Sequence, residues 1–242
     1  MKRIIGWAIS TVFVFSAFAA SASDLSEEEI KQLALEAILE YPEIIVQAVD
    51  LLQRREAEAQ EQAVQNVLSG QREILERDPN APIIGNPDGD ATIVEFFDYN
   101  CPYCKQAAPI IKGLIGEDSE LRVVYREWPI LSEGSVFAAR AALAVRKQGK
   151  YEAFHWALME LRGRVNEASV MRVVRDLGLD EEQLREDMNA PEINEHIQTS
   201  KRLAEMLGFS GTPSFVAGGA LVPGLADAAR LKQLISAIRE AK

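Results

Sequence analysis

The sequence is poor in cysteine and histidine, with two residues of each among 242. Cys101 and Cys104 therefore have only each other as intramolecular disulfide partners, which excludes a small scaffold held by many disulfides. His155 and His196 lie far from each other and from the cysteines in sequence, without the spacing of a four-ligand zinc site. No methionine-rich or histidine-rich tract indicates a dedicated metal carrier. We expect no bound cofactor.

Positive charge and long apolar runs are also scarce. The formal net charge is −11, which argues against nucleic acid and anionic membrane surfaces as partners. Beyond the first two dozen residues, no apolar stretch is long enough to span a bilayer. Hydrophobic residues nevertheless make up 48% of the chain, which is enough to bury a sizeable core.

Residues 1–23 predict a signal peptide. Lys2 and Arg3 precede an apolar run from Ile4 to Ala20, and Ala20-Ser21-Ala22 offers a cleavage site with small residues. An uncleaved membrane anchor is the alternative, but cleavage is favoured by the small residues at the end of the apolar run and by the charged segment that follows. Export would place the two cysteines in an oxidising compartment, where a dithiol takes part in disulfide chemistry.

Residues 24–80 predict helices that have no strand partner. Ser26 and Glu29 have the spacing of a capping box, and apolar residues at helical spacing follow them. Tyr41-Pro42 ends the first helix, and a second is predicted to continue to Asp78. Their apolar faces need a cover. They either fold back on the following domain or meet the same helices of other subunits. The polar stretch 54–62, which is typical of a solvated linker, favours oligomerisation.

Residues 81–242 predict one α/β domain interrupted by helices. The strand candidates are Ile83–Ile84, Ala91–Phe97, Leu121–Arg126, Ser214–Ala217 and Ala220–Val222. The last two flank Gly218-Gly219, which is typical of a hairpin turn. Residues from about 133 to 207 are almost wholly helical in pattern, and a final helix is expected from Asp227 to Ala241.

Cys101 and Cys104 follow a buried strand at the predicted start of a helix. Pro102 favours that start, because proline fits the first helical turn. Cys101 would then lie at the helix N-terminus, where free N–H groups and the helix dipole stabilise a thiolate. The alternatives are inert buried thiols, a static disulfide or half of a zinc site. The strand–CxxC–helix arrangement favours a redox-active dithiol.

Three separated segments together resemble the DsbA-like, thioredoxin-fold disulfide oxidoreductases of the bacterial periplasm. They are Glu95–Cys104, Glu127–Leu131 and Gly211–Phe215. The resemblance runs from about residue 83 to the C-terminus and implies an α/β thioredoxin fold with an all-helical insertion. Residues 37–48 further resemble the N-terminal region of the ScsC family of copper-tolerance thiol oxidoreductases. In that family the region serves oligomerisation, which implies a homo-oligomer, with a trimer favoured and a dimer possible, formed through residues 24–80.

The resemblance also implies a role for each candidate site residue. Cys101 would be the nucleophile and Cys104 the resolving thiol. Glu95 would be a buried acid that assists proton transfer from Cys104, although a surface carboxylate at a strand edge remains an alternative. The Thr212–Pro213 bond would be cis.

Substrate contacts are expected from both sides of the cysteine pair. Thr212 and Pro213 would offer backbone groups to an extended substrate, and Pro102 and Tyr103 would lie beside them. Tyr103 stands where the strongly oxidising archetype has a histidine, so one source of positive charge is absent. We therefore predict a Cys101 pKa between about 3.5 and about 8.5, and a less oxidising couple.

These features predict a periplasmic thiol–disulfide oxidoreductase. Isomerase or reductase work on misfolded or oxidised exported proteins is favoured, since an oligomer would hold several sites around one substrate. A dithiol oxidase recycled by a membrane redox partner is the alternative. A Cu(I)-binding copper-tolerance protein, with Cys101 and Cys104 as soft thiolate ligands, is a third possibility. A chaperone with a vestigial redox pair is a fourth.

Overall fold

A computed structural model describes residues 26–241, which divide into two units, 26–56 and 57–241. The predicted signal peptide, residues 1–23, lies outside the described residues. Within the described range, no helix combines the length and the apolar character needed to cross a membrane.

The first unit is helical. Helix α1 spans Glu27–Glu40 and begins with the predicted capping box, in which the Ser26 N–H donates to Glu29 Oε2 at 2.9 Å. The helix ends before Tyr41, and α2 spans Glu43–Gly70. No residue of α1 is buried in this chain, and Leu39 is 72% exposed. The apolar faces predicted for this segment are therefore uncovered within the unit.

The second unit begins at Ala57, whereas the sequence predicts the start of the catalytic domain at residue 81. Helix α3 spans Arg72–Arg77, and the chain turns between α2 and α3 where one continuous helix was predicted. Leu68 and Leu75 are buried in the cluster that covers one face of the sheet. Residues 57–80 belong to the compact unit because these apolar side chains are part of its core.

A five-stranded mixed sheet forms the centre of the second unit. Its strands are β1 (Ile83–Gly85), β2 (Ala91–Phe97), β3 (Leu121–Glu127), β4 (Ser214–Ala217) and β5 (Ala220–Pro223). The order in the sheet is β1-β3-β2-β4-β5. Strands β2 and β3 are parallel, and the other three pairs are antiparallel. All five predicted strands are present, within one or two residues of the predicted ends.

The remaining helices cover the sheet and form the predicted insertion. Helix α4 (Pro102–Glu117) connects β2 to β3. The insertion comprises α5 (Glu133–Val145), α6 (Tyr151–Glu160), α7 (Glu167–Asp176), α8 (Glu181–Asp187) and α9 (Pro191–Met206). Helix α10 (Ala228–Glu240) closes the chain. The larger core cluster lies between the sheet and α4, α10 and the insertion, which sets the N-terminus of α4 against β4.

Candidate active site

Cys101 is the N-cap residue of α4. Its backbone is extended (φ −75°, ψ 119°), and Pro102 occupies the first helical turn, as the sequence predicts. Both cysteines are free thiols. Cys101 Sγ accepts a hydrogen bond from the Cys104 N–H at 3.4 Å. The nucleophile candidate thus receives one of the backbone donors that a helix N-terminus leaves unpaired.

The Thr212–Pro213 peptide bond is cis, as the resemblance implied. Pro213 directly precedes β4, which pairs with β2 through Phe96 and Ser214. This pairing brings the carbonyl of Thr212 to 3.1 Å from Cys101 Sγ, which donates to it in the thiol form. The loop before β4 and the start of α4, 111 residues apart in sequence, therefore meet at the sulfur.

Hydrogen bonding lowers the pKa of the Cys101 thiol to about 6. The largest contribution is the hydrogen bond with the Cys104 side chain, whereas burial raises the pKa. Hydrogen bonds with the Thr212 side chain and with the backbone of Cys104 and Tyr103 lower the pKa further. The value lies between the limits predicted from the Pro102-Tyr103 pair. Cys101 is 3% exposed, whereas Tyr103 beside it is 57% exposed.

Cys104 is the buried member of the pair. It lies one turn along α4 and is 0% exposed. Burial raises the pKa of its thiol far above the ordinary value, and Cys101 and Glu95 add to this. The two thiols of one motif thus have opposite acid–base properties: at neutral pH Cys101 is mainly a thiolate and Cys104 a thiol.

Glu95 lies on β2 and is 2% exposed, which overturns the alternative of a surface carboxylate. Burial, with a smaller contribution from the negative charge of Cys101, raises its pKa to about 8. Its Oε1 atom has no hydrogen-bond partner among residues 26–241. A carboxyl group in this state exchanges a proton near neutral pH, and it interacts electrostatically with both cysteines.

The residues between β2 and α4 hold the site in place, and sequence reasoning did not single them out. Asp98 is 1% exposed and accepts from the N–H groups of Asn100, Ile130 and Leu131 at 2.7, 2.9 and 3.0 Å. Asn100 exchanges hydrogen bonds with Val165, accepting its N–H at 2.7 Å and donating to its carbonyl at 3.0 Å. The signal in the sequence was the short polar turn Asp98-Tyr99-Asn100 directly before the cysteine pair.

A buried polar network lies on the neighbouring strand and was also missed. Glu127 Oε1 accepts from the hydroxyls of Tyr99 (3.1 Å) and Tyr151 (3.3 Å). The Tyr99 hydroxyl also meets His155 Nδ1 at 3.1 Å. Burial raises the pKa of Glu127 well above its ordinary value and lowers that of His155 to about 3, so the imidazole is neutral at pH 7. The sequence signals for this network were the charged residue at the end of the strand and its place in the family-like segment Glu127–Leu131.

The predicted site residues are brought together, with the cysteine pair, Pro102 and Tyr103 on one side and Thr212 and Pro213 on the other. His155 and His196 are both buried and lie near β3, where His196 Nε2 accepts from the Glu127 N–H at 3.2 Å. In the part of the chain that is described, no group of three or more metal-ligating side chains converges on one point. The donors available to Cu(I) at this site are the two thiols.

Comparison with known proteins shows which family the chain belongs to. The model of the DSBA-like thioredoxin domain matches residues 92–238. The chain belongs to this family. The matched range contains the cysteine pair, the cis-proline loop and the whole helical insertion, so the fold is a thioredoxin fold with the insertion of the DSBA-like domain.

Two solved structures extend this result. A thioredoxin-like oxidoreductase from Silicibacter pomeroyi DSS-3 is 58% identical, with a TM-score of 0.69 over 71% of this chain and 99% of that chain. Proteus mirabilis ScsC in a transitional conformation is 27% identical, with a TM-score of 0.67 over 92% of this chain and 100% of that chain. The DSBA-like oxidoreductase family is therefore shown by both sequence and structure.

Curated relatives include much longer membrane transporters. The Na(+)/H(+) antiporter NhaA 3 of Salinispora tropica is 30% identical over 145 residues, which is 59% of this chain. The chain spans about a fifth of that protein's length, 22%. The likeness thus concerns one domain of the antiporter chain.

Proposed function

We propose that this protein is an exported thiol–disulfide oxidoreductase that works mainly as a disulfide isomerase or reductase in the periplasm. The observation that carries the proposal is the asymmetry of the dithiol. Cys101 is stabilised as a thiolate at the head of α4, and Cys104 is held as a buried thiol one turn away. A thiolate with a second thiol in reach is the reactive unit of disulfide exchange. Its substrates are exported proteins that carry thiols or wrongly paired disulfides.

Exchange begins when the Cys101 thiolate attacks a substrate disulfide. The Cys101 sulfur forms a mixed disulfide with one substrate sulfur, and the other substrate sulfur leaves as a thiolate. In isomerisation another substrate thiolate then attacks the substrate sulfur of the mixed disulfide. A new substrate disulfide forms and Cys101 leaves as a thiolate, so no net electrons are transferred. In reduction Cys104 attacks Cys101, two electrons pass to the substrate, and the enzyme keeps a Cys101–Cys104 disulfide. A membrane redox partner would supply electrons to restore the dithiol.

Glu95 is the proposed proton acceptor for the resolving step. Cys104 becomes nucleophilic only after losing its proton, and its burial opposes ionisation. Glu95 is a buried carboxyl group whose pKa of about 8 suits proton exchange at neutral pH. Formation of the mixed disulfide removes the Cys101 negative charge that raises the Glu95 pKa. Glu95 then ionises more readily, at the step that needs a base.

Thr212, Pro213, Pro102 and Tyr103 are the proposed substrate contacts. The Thr212 carbonyl lies 3.1 Å from the Cys101 sulfur, and Tyr103 is exposed beside it. An extended substrate strand would lie along the backbone of the loop before β4. Its cysteine would then be placed at the sulfur between that loop and Tyr103.

Self-association through the first unit supports the choice of isomerase. Between residues 26 and 56 twelve large apolar side chains are exposed: Ile30, Leu33, Leu35, Ile38, Leu39, Tyr41, Ile44, Ile45, Val46, Val49, Leu51 and Leu52. An uncovered apolar surface of this extent is typical of an interface. We propose that further copies of this chain cover this surface, in a trimer or, as the alternative, a dimer. The structural match to Proteus mirabilis ScsC extends over 92% of this chain, which supports this assignment.

Refolding of scrambled ribonuclease tests the proposal. The mature protein is compared with a form that begins at Ala57, which keeps Leu68 and Leu75 in the core, and with Cys101→Ser. We expect the mature protein to restore ribonuclease activity and Cys101→Ser to be inactive. The shortened form should be monomeric by light scattering, and it should isomerise poorly while still reducing a small disulfide. Equal isomerase activity of the shortened and mature forms would refute the role of the oligomer.

Dithiol oxidation is the second candidate, because a Cys101 pKa of about 6 also makes Cys101 a good leaving group. A substrate thiolate would attack Cys101 of the oxidised enzyme and form a mixed disulfide, with the Cys104 sulfur as the leaving group. A second substrate thiolate would then attack the substrate sulfur, which forms the substrate disulfide and leaves the enzyme as the dithiol. Oxidation of reduced ribonuclease by the disulfide form, faster than isomerisation of the scrambled protein, would favour it.

A further inference from the structure

A cavity of about 450 Å³ shares no lining residue with the dithiol site. Its walls come from residues 77–83, which connect α3 to β1, from β3, and from residues 146–152 at the start of α6. Three arginines line it, Arg77, Arg122 and Arg146, in a chain whose net charge is −11. The local charge thus has the opposite sign to that of the whole protein.

Arg122 is the unusual member of this set. It is 3% exposed, and its Nε and Nη1 atoms have no hydrogen-bond partner in the described chain. Arg126, four residues along β3, is better satisfied: it is fully buried, and although its Nε is also unpaired, it donates to Asp78 Oδ2 at 2.6 Å and to the Leu75 carbonyl at 3.3 Å. A buried cation without hydrogen bonds is costly and calls for an explanation. Arg122 lines the cavity, although its Nε and Nη1 atoms are closed to solvent. A ligand bound there would supply the missing partners once a turn of the side chain brought these donors to it.

The two carboxylates in the cavity wall, Asp78 and Glu152, form no ion pair with its arginines within the described residues, although Asp78 offsets part of the charge of Arg146. Asp78 is already paired with Arg126, which does not line the cavity. Glu152 accepts from the Trp156 indole N–H at 3.3 Å and makes no ion pair within residues 26–241. Outside the wall, Glu76 and Asp88 offset part of the charge of Arg122, and Arg77 adds to it. Neither acid forms an ion pair with Arg122 within the described range.

The other two arginines differ in how they are held. Arg146 donates to the carbonyls of Pro79 and Asn80 and so fixes the wall of the cavity. Arg77 is exposed and makes no hydrogen bond or ion pair within the described residues. Arg77 and Arg122 therefore keep donors unpaired within the described residues, while Arg146 and the backbone it contacts form the frame of the cavity.

We propose that this cavity binds a small organic oxyanion, with Arg122 and Arg77 contacting its anionic group. The planar guanidinium presents paired N–H donors that match a carboxylate or a phosphate. Pro79, Pro82, Ile83 and Tyr151 give the cavity apolar walls, which suit an apolar body attached to the anion. The volume falls in the range of small-molecule sites. Carboxylates and phosphate esters share this chemistry, and the experiment separates them.

Calorimetric titration of the full mature chain tests the proposal with four probes: inorganic phosphate, phenyl phosphate, benzoate and the neutral benzamide. We expect phenyl phosphate or benzoate to bind once per chain and at least tenfold more tightly than benzamide, at constant ionic strength. Tighter binding of phenyl phosphate would assign a phosphate site, and tighter binding of benzoate a carboxylate site. Weaker binding of inorganic phosphate than of phenyl phosphate would support a role for the apolar walls.

Three variants connect the binding to the cavity. Arg122→Gln and Arg77→Gln should each weaken binding of the preferred anion at least tenfold, and Arg172→Gln, at an exposed position on α7, should leave it unchanged. Arg122 donates no hydrogen bond in the described chain, so Arg122→Gln should melt no lower than the unaltered protein without the anion. Arg77 is exposed, so its variant tests the site even if Arg122→Gln folds poorly. Absence of binding by both organic anions, equal binding of benzamide, or full affinity in both cavity variants would overturn the proposal.

Discussion

Replacing Glu95 with glutamine should change the pH dependence of stability in a defined way. The carboxyl group is 2% exposed and its pKa in the folded protein is about 8, against an ordinary value of 4.5. Between these pH values the folded protein keeps a proton that the unfolded chain has lost. The free energy of unfolding contributed by Glu95 is therefore fully present below pH 4.5 and is lost as the pH rises to about 8.

The size of this loss follows from the same two values. Each pKa unit corresponds to about 1.4 kcal/mol, so a rise from 4.5 to about 8 amounts to about 5 kcal/mol. Glutamine cannot ionise and does not incur the loss. The stability of Glu95→Gln relative to the unaltered protein should increase from pH 4.5 to pH 8 by about this amount and then stay constant.

Cys101 acts in the opposite direction in the reduced protein. Its folded-state pKa of about 6 lies below the ordinary value of 9.0, so its contribution to stability grows as the pH rises through this range. Between pH 6 and 8 the two contributions oppose each other in the unaltered protein. In Glu95→Gln only the Cys101 contribution remains, so the stability of the reduced variant should rise visibly over this interval.

Urea denaturation under reducing conditions, from pH 4.5 to 8.5 at one protein concentration, measures the difference directly. Other titrating groups cancel in the comparison, because both proteins carry them. Parallel stability profiles would mean that Glu95 ionises as an ordinary surface carboxylate. The proposed role of Glu95 in deprotonating Cys104 would then lose its physical basis.

Two further predictions concern the resolving thiol and the turn before α4. In Cys104→Ser, Cys101 should still attack substrate disulfides, but no second thiol of the enzyme can resolve the mixed disulfide. Mixed disulfides with substrate proteins should therefore accumulate on non-reducing gels and disappear when reductant is added. Their absence would argue against Cys104 as the resolving thiol. Asp98→Ala should lower the free energy of unfolding by roughly 3–6 kcal/mol in chemical denaturation, since three N–H groups lose a charged acceptor. Asp176→Ala, at an exposed site, should cost less than about 0.5 kcal/mol, and an equal cost at both positions would contradict this.

The local parts of the site were predictable from sequence. The apolar run Ile93–Phe97, Pro102 and the cysteine spacing each act within one turn or strand, and together they placed Cys101 at the N-terminus of α4. The fold class came from the order of the elements and from the three family-like segments. These features can be predicted without knowledge of tertiary contacts, because they depend on local backbone geometry and helix capping.

The parts that depend on long-range packing were not predictable. In the sequence Glu127 is a polar residue at the end of a predicted strand. Only the folded chain brings the Tyr99 hydroxyl into hydrogen-bond distance of both Glu127 and His155. Leu68 and Leu75 carry the same helical pattern as the exposed residues before Glu56, so periodicity did not reveal that they pack on the sheet. The burial of Glu95 likewise depends on the strands on both sides of β2.

Titration of the Cys101 thiolate absorbance near 240 nm tests the central claim most directly. Cys104 remains a thiol over the useful pH range, so the reduced protein should show a single thiolate midpoint near pH 6, and Cys101→Ser should show none. A midpoint at or above 8.5, the value of a free cysteine, would mean that the head of α4 does not activate this sulfur.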